Sequence, residues 1–384
     1  MDFTLTLEQQ MLKDSAARLL ADAYDFEQRS AYMVADQGWS KAIWRQYAEL
    51  GFLGIGIPEE FGGTGGGAFE TMVVMEEMGR RLTLEPYACT AVICRDLLLS
   101  GGSPAHKQAY LPRIVSGDLV LALAALERQS RFDLHDVAAT ARRAGDGWVL
   151  DGRKTLVPHG DSADLLLVSA RVAGGQRDSA GISLFIVDAA TPGLSRSRVT
   201  QVDSHRAADV ELRGVQVPAS ALLGEPGQAL ALLESAREAG VVALLAESTG
   251  CMEELLKMTV EYLKTRRQFG RTLASFQALQ HRAVDMLMHL EQARSMTILA
   301  TSLLVQPPSP ERSRWIAGAK AFSCQAWRFV GEQGVQLHGG IGITMEHAVA
   351  HLFRRLVAME SALGDRDHHL ERFSVLAEPA VAGA

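Results

Sequence analysis

The sequence has 384 residues, of which 47% are hydrophobic and 22% are charged, proportions close to the average for globular proteins. The formal net charge is −7 and lysine and arginine form no long run, which argues against a nucleic-acid-binding surface. No apolar run approaches the roughly 20 residues of a membrane span, and no secretory signal opens the chain, so we expect a cytoplasmic protein.

The first third of the sequence predicts helices. Thr6 and Gln9 have the spacing of a capping box, in which each side chain binds the other residue's backbone amide at the start of a helix. Further helices are expected over Ala68 to Arg81 and, roughly, over residues 91–99. The preceding segment PEEFGGTGGG has five glycines in ten residues and cannot be a regular helix. We therefore expect an N-terminal helical domain over residues 1–118.

Residues 119–225 change to a strand pattern. The β-branched or alternating runs are WVLDGRKTLV, DLLLVSARV, ISLFIVD and DVELRGVQV, and turn signals separate them. No helical pattern lies between these runs, whereas a parallel Rossmann sheet would need crossover helices there. We expect an antiparallel β-sandwich or barrel as the middle domain.

Residues 226–384 are helical again. A long helix is expected to end near Arg266, and a later one to stop at Pro307. Ser309 then has the character of an N-cap, with Pro310 in the first helical position. The sequence thus predicts a C-terminal four-helix bundle, and an α+β chain with a helical, a β and a second helical domain.

The common catalytic signatures are missing. The sequence has no GxSxG elbow, no HExxH pair and no P-loop lysine. His347 and His351 are four residues apart, and His368 precedes His369, but no carboxylate or thiolate completes a ligand set for zinc. We expect these histidines on a solvated helix surface, and no metal site.

Arg266 and Arg267 stand at a predicted helix end, directly before a turn at QFG. Two guanidinium groups offer forked donors that suit phosphate. Cations at a helix C-terminus also interact favourably with the helix dipole and then need no ligand. Phe269, Phe276 and Gln277 add aromatic rings and an amide beside the arginines. The residues alone leave both interpretations open.

The surrounding stretch, TVEYLKTRRQFGRTLASFQALQHRAVDM, resembles a signature of the acyl-CoA dehydrogenase family nearly residue for residue. Further signatures of that family resemble PEEFGGTGG, the DGRK and ADLLLVSAR region, and VGEQGVQLHGGIGITMEH, in the same order along the whole chain. The resemblance implies bound FAD, removal of an α-proton by a carboxylate and of a β-hydride by the flavin, and electron transfer to an electron-transfer flavoprotein. It implies cofactor contacts at Arg266, Phe269, Phe276, Gln277, Gln336, Gly339 and Gly340.

The catalytic glutamate of the family is missing from both of its usual places. One place, counted from the GGIG segment, holds Leu363, and the other, in the long helix, holds Gly240. Neither side chain accepts a proton. Glu247 lies two helical turns after Gly240, near the same face and within the apolar run VVALLAESTGCM. A carboxylate in apolar surroundings is typical of a general base, so Glu247 is the expected base and Glu360 the second candidate. The alternative for Glu247 is a structural role, as a buried glutamate satisfied by a neighbouring polar group.

The β-domain also departs from the family pattern. Leu156-Val157-Pro158 stands where the family has Trp-x-Thr over the flavin, so we expect contacts from Leu156 and Pro158 instead. LERQSRFD resembles the glycine-rich loop of the family, but Arg131 and Phe132 replace small residues. Arg131 is a candidate for binding a distal carboxylate of the substrate, and its alternatives are an exposed position or a contact with an FAD phosphate.

The segments HGDSADLLLVSAR, QLHGGIGITMEH and ALGDRDHH resemble a branch with pimeloyl-CoA dehydrogenase small subunits and actinobacterial steroid side-chain enzymes. Members of this branch are often paired with a second, different subunit. The resemblance implies a dicarboxylyl, branched or ring-bearing acyl-CoA substrate and a homo- or heterotetramer. The alternative function is a non-catalytic partner subunit that completes the FAD sites. An oxidase or a nitro-group reaction on the same fold is a third hypothesis.

Overall fold

Helices begin and end the described part of the chain, residues 4–377 of a computed structural model, and strands lie between them. The first helices are α1 (Leu7–Ala23), α2 (Phe26–Val34), α3 (Lys41–Glu49), α4 (Ala68–Arg81), α5 (Arg95–Gly101) and α6 (Pro104–Val115). The strands are β1 (Leu121–Ala124), β2 (Thr140–Ala144), β3 (Gly147–Pro158), β4 (Leu165–Arg171), β5 (Ile182–Asp188), β6 (Leu194–Thr200), β7 (Arg206–Pro218) and β8 (Leu222–Leu223). The remaining elements are α7 (Ala229–Thr265), β9 (Arg267–Gln268), β10 (Arg271–Thr272), α8 (Gln277–Leu304), α9 (Pro310–His338), α10 (Ala348–Ser361) and α11 (Arg366–Val375). The predicted α+β order is confirmed.

Two helix starts follow the predicted capping chemistry. The Thr6 side chain accepts a hydrogen bond from the Gln9 amide at 3.2 Å, and the Gln9 side chain accepts one from the Thr6 amide at 3.0 Å. Ser309 Oγ accepts from the Arg312 amide at 3.1 Å, with Pro310 in the first position of α9. The third predicted helix differs from the structure, because a π-helical segment, Ala88–Cys94, precedes α5.

The chain divides into two units, each with its own hydrophobic core. The sheet unit comprises residues 32–67 and 84–240, and its strands form one eight-stranded sheet in the order β6-β7-β3-β2-β4-β5-β8, with β1 paired to β4. Most pairs are antiparallel, as predicted, but β1 and the first residue of β2, Thr140, both pair in parallel with β4. The chain leaves β1 and returns as β2 along the same edge of β4, so these parallel contacts form without a crossover helix.

A buried ion pair lies inside the sheet unit. Lys154 of β3 is fully buried, and its Nζ donates to Glu127 Oε1 at 2.6 Å and to Ser169 Oγ at 2.9 Å. The other Glu127 oxygen accepts from the Ala138 amide at 2.9 Å. Burial opposes ionisation of Glu127, but the Lys154 ammonium and the hydrogen bonds outweigh it and lower the pKa of Glu127. This pair ties the loop after β1 to the centre of the sheet.

The helical unit comprises residues 4–31, 68–83 and 241–377. Its core contains Leu245, Trp327 and Leu356, from α7, α9 and α10. Helices α4 and α7 cross so closely that a Cβ on Gly250 would lie 1.9 Å from the Glu76 carbonyl oxygen. A Cβ on Gly79 would meet the carbonyl oxygen of residue 247 at the same distance. Glycine at these two positions therefore fixes the path of α7 past α4.

Two of the histidines expected at a solvated surface are buried, so that prediction is wrong for them. The His351 ring lies 2.9 Å from Arg29 Nη1 and 3.0 Å from the Met345 carbonyl oxygen. His369 Nε2 lies 3.0 Å from the Leu363 carbonyl oxygen. Periodicity could not reveal these partners, because they come from loops and from another helix. Within residues 4–377, no group of three or more His, Cys, Asp and Glu side chains is arranged to hold a metal ion.

Candidate cofactor and catalytic site

The end of α7 turns sharply into a short hairpin. The Arg266 amide donates to the Tyr262 carbonyl at 2.8 Å, and β9 and β10 then pair around Phe269 and Gly270. These two turn residues have φ values of 56° and 80°, as a type I′ turn requires. The Phe269 side chain is 88% exposed at the tip. A large apolar ring in this position is available to a ligand or to another protein chain.

The hairpin leads directly into α8. The Leu273 amide donates to the Arg266 carbonyl at 2.9 Å, which holds the returning chain against the end of α7. The rings of Phe269 and Phe276 meet edge to face at 6.1 Å, and the Arg271 guanidinium lies over Phe276 at 4.0 Å. Of the predicted cofactor residues here, Phe276 is half-buried before α8, and Gln277, the first residue of α8, is exposed.

A cavity of about 610 Å³ lies in the helical unit where the end of α7, the start of α8 and the end of α9 meet. Four of the predicted cofactor residues, Arg266, Gln336, Gly339 and Gly340, belong to its wall. The other wall residues are Tyr262, Gln268, Leu273, Leu279, Arg282, Leu337, His338 and Ile341. Phe269, Phe276 and Gln277 are not among them.

The charged side chains of this wall are all positive. It contains two arginines, Arg266 and Arg282, and no aspartate or glutamate. Within the described residues, neither guanidinium makes a hydrogen bond or an ion pair with another side chain. Burial lowers the pKa of His338, whose Nδ1 lies 2.8 Å from the Gly334 carbonyl oxygen, so its ring adds no positive charge near neutral pH. The arginines therefore make the cavity a site for an anion.

The two glycines after α9 leave room for such a ligand. A Cβ added to Gly339 or to Gly340 would have no atom within 4 Å, and Gly339 has a φ of 67°. Backbone at these positions can therefore approach a bound molecule without a side chain in the way. Tyr262 stacks on His338 with ring centroids 4.6 Å apart, and both rings belong to the cavity wall. Two unpaired guanidiniums, an amide and a glycine backbone fit the phosphates of FAD.

Glu247, the predicted base, is buried in α7 and bound by an arginine. Arg355 of α10 donates from Nε to Oε1 and from Nη2 to Oε2, both at 2.7 Å. The Glu247 side chain is only 6% exposed. The apolar run around Glu247 contains no cation, and Arg355 supplies one from a distant helix. Its role as a base stays a prediction.

The remaining candidate positions for a base lie near the end of α10. Glu360 accepts from Arg328 Nη2 at 2.6 Å, on a side of α9 where the arginine is 65% exposed. Leu363 follows with a φ of 57° and packs against the core of the helical unit. Lys320 is buried beneath this segment and donates to the Met359 carbonyl at 2.9 Å. The segment is well fixed, but Leu363 offers no proton acceptor.

The predicted flavin and substrate residues of the sheet unit lie on irregular backbone. Leu156 is 53% exposed, has a φ of 49°, and its amide donates to Asp209 at 2.9 Å. Pro158 ends β3 and is paired with Ala207. Arg131 is exposed with a φ of 50°. Contacts of Leu156 and Pro158 with FAD, and of Arg131 with substrate, stay predictions.

Sequence reasoning missed Arg282. A signal was present, because Leu279 and Arg282 are three residues apart on one helix face, directly after the predicted FAD residue Gln277.

Among residues 4–377, no helix has the length and apolar character needed to cross a bilayer.

Comparison with known proteins follows the same three-part order. Residues 6–118 match the family model "Acyl-CoA dehydrogenase, N-terminal domain", residues 122–215 the middle domain and residues 232–374 the C-terminal domain. The acyl-CoA dehydrogenase FadE12 of Mycobacterium tuberculosis is 31% identical over 313 residues, covering 80% of each chain.

Solved structures agree in fold over the whole length. The ChsE4-ChsE5 complex from Mycobacterium tuberculosis contains a chain that is 28% identical, with a TM-score of 0.89, covering 99% of this chain and 100% of that one. A structure described as the FAD complex of PigA is 26% identical with a TM-score of 0.90, covering 98% of both chains.

Proposed function

The chain belongs to the acyl-CoA dehydrogenase family of FAD-dependent oxidoreductases, and we propose that it catalyses the α,β-dehydrogenation of an acyl-CoA thioester. The observation that carries this proposal is the cavity with two unpaired arginines and the open glycine backbone. Arg266 and Gln336 would hold the cofactor there, and Gly339 and Gly340 would give its phosphates access to backbone. FAD, when bound, supplies the acceptor for the hydride.

Glu247 is the proposed acceptor of the α-proton. The two hydrogen bonds from Arg355 hold its carboxylate in one orientation. The close crossing of α4 and α7 at Gly79 fixes the backbone of the same residue. Burial keeps water away from the carboxylate. A carboxylate in a fixed position and shielded from water suits the role of a general base.

We further propose a dicarboxylyl, branched or ring-bearing acyl group and an electron-transfer flavoprotein as electron acceptor. Arg131 is proposed to face a distal carboxylate of such a substrate. One similar solved structure, a variant of "Tcur3481-Tcur3483 steroid ACAD", is 29% identical with a TM-score of 0.86 and covers 96% of this chain and 97% of that one. That this relative is a steroid ACAD supports a large acyl group for this chain.

A second candidate function is that of a non-catalytic partner subunit in a heterotetramer. It is favoured by one observation, namely that both candidate carboxylates, Glu247 and Glu360, are held by arginines while Leu363 and Gly240 occupy the family positions. Two of the similar structures are named after two components, ChsE4-ChsE5 and Tcur3481-Tcur3483. In this function the chain would complete FAD sites and leave proton removal to the other subunit.

Anaerobic titration with CoA thioesters tests the proposed function. The purified protein is expected to be yellow, and a substrate from a panel of straight-chain, branched, dicarboxylyl and ring-bearing thioesters should bleach its flavin band, because hydride transfer reduces the flavin. Free CoA is the control and should leave the band unchanged. The proposed dehydrogenation would be contradicted by a protein whose flavin is reduced by dithionite but is not bleached by any thioester. Flavin acquired only on co-expression with a homologous subunit would favour the second function.

A further inference from the structure

Arg282 is the second cation of the cofactor cavity, and neither the family signature nor the sequence pattern assigns it a role. It lies in the second turn of α8, on the same helix face as Leu279, which also belongs to the cavity wall. The helix therefore holds its stem in place. The side chain is half-buried.

Arg282 is a half-buried cation without a counter-ion in the described part of the chain. The sequence contains 45 acidic and 38 basic residues, so acidic partners are plentiful. Several other arginines at helix contacts are paired; for example, Arg294 donates to Glu253 at 2.6 Å. The Arg282 side chain makes no hydrogen bond or ion pair within the described residues, although part of its surface is removed from water. A partly desolvated cation without a counter-ion is costly, and a bound anion would remove that cost.

The number and type of cations define the class of anion. A guanidinium binds two oxygens of one phosphate side by side, so a single arginine satisfies a single phosphate. Two arginines on one wall, with no carboxylate to compete, match two adjacent phosphates. The cavity volume of about 610 Å³ lies within the range of nucleotide-sized ligand sites.

We propose that Arg282 binds the pyrophosphate together with Arg266, so that the cavity selects a dinucleotide or nucleoside diphosphate over a nucleoside monophosphate. This inference rests on the proposed function, since it assigns the cavity to FAD. It adds a residue that discriminates between ligands by their second phosphate. Arg266 alone would bind ADP and AMP with similar strength.

Binding measurements on the flavin-free full-length protein test the inference without any assay of turnover. Affinities for FAD, ADP and AMP are measured by calorimetry for the wild type, Arg282→Ala and Arg282→Lys. We expect Arg282→Ala to weaken the binding of FAD and ADP by about 10- to 100-fold, the usual effect of losing a charge-assisted hydrogen bond. The affinity for AMP should stay nearly unchanged. Arg282→Lys should recover part of the loss because it restores the charge without the fork.

Arg267→Ala is the matched control. It removes the same charge from the neighbouring hairpin, where Arg267 lies outside the cavity and donates to the Gly270 carbonyl at 3.4 Å. Equal affinity of wild type and Arg282→Ala for FAD and ADP would overturn the inference and leave the proposed function intact. Equal weakening of ADP binding and AMP binding would also overturn it, because Arg282 would then not contact the second phosphate. A folded wild type that binds neither FAD nor ADP would overturn the proposed function and the inference with it.

Discussion

Replacing Lys154 with methionine is expected to lower the free energy of unfolding by about 3–5 kcal/mol, because the Glu127 carboxylate would stay buried without its cation. Methionine keeps most of the volume of the lysine stem, so the loss reports the charge rather than a cavity. Chemical denaturation measures the difference. The control is Arg153→Met at the adjacent position, where the arginine is 78% exposed beside Glu211 and should cost only about 0–1 kcal/mol.

The destabilisation caused by Lys154→Met is expected to depend on pH. The folded-state pKa of Glu127 lies below its ordinary value of 4.5, so its contribution to stability is present above pH 4.5 and is lost as the pH falls through the folded pKa. In Lys154→Met the buried carboxylate lacks a cation, which favours its protonated form. The destabilisation relative to wild type should therefore shrink on acidification. A destabilisation that is the same at neutral and acid pH would contradict this account of the pair.

Glu247→Gln is expected to slow flavin reduction by an acyl-CoA substrate by about 10²- to 10⁴-fold, the usual contribution of a general base. The amide can still accept a hydrogen bond from Arg355, so the site keeps its shape while losing the proton acceptor. Anaerobic stopped-flow absorbance measures the rate. Glu360→Gln removes the second candidate carboxylate and should leave the rate close to that of the wild type.

Two outcomes would count against Glu247 as the base. An unchanged rate together with a lower unfolding midpoint would make the Glu247–Arg355 pair purely structural. Leu363→Glu is a further variant for the same measurement, since it places a carboxylate where the family resemblance expects one. If the wild type does not reduce its flavin and Leu363→Glu does, the chain is the partner subunit of the second proposed function.

Local signals explain what the sequence predicted correctly about the fold. The capping box at Thr6 and the Ser309-Pro310 helix start depend on residues within four positions of one another. The bounds of α4, Ala68–Arg81, match the prediction because glycines precede it and apolar spacing runs through it. The π-helical segment before α5 was not predicted, since its hydrogen bonding has no distinct apolar period.

Long-range pairs explain what the sequence could not predict. Arg355 lies 108 positions after Glu247, and Lys154 lies 27 positions after Glu127. A helix period shows which side chains share a face, but it does not show which other helix supplies the counter-charge. The family motifs identified Arg266, Gln336, Gly339 and Gly340, which do share one cavity, whereas Arg282 lies outside the predicted contacts. Packing of three helix ends against one another created that wall.

The flavin content of the purified protein, with and without Gly340→Leu, tests most directly whether this cavity holds FAD. The backbone at Gly340 faces open space, so leucine should fill the cavity without disturbing the fold, and Gly340→Ala is the graded control. We expect wild type and Gly340→Ala to carry FAD, and Gly340→Leu to lose it while keeping its circular dichroism and unfolding midpoint. A folded Gly340→Leu protein with the FAD content of the wild type would contradict the assignment of the cavity.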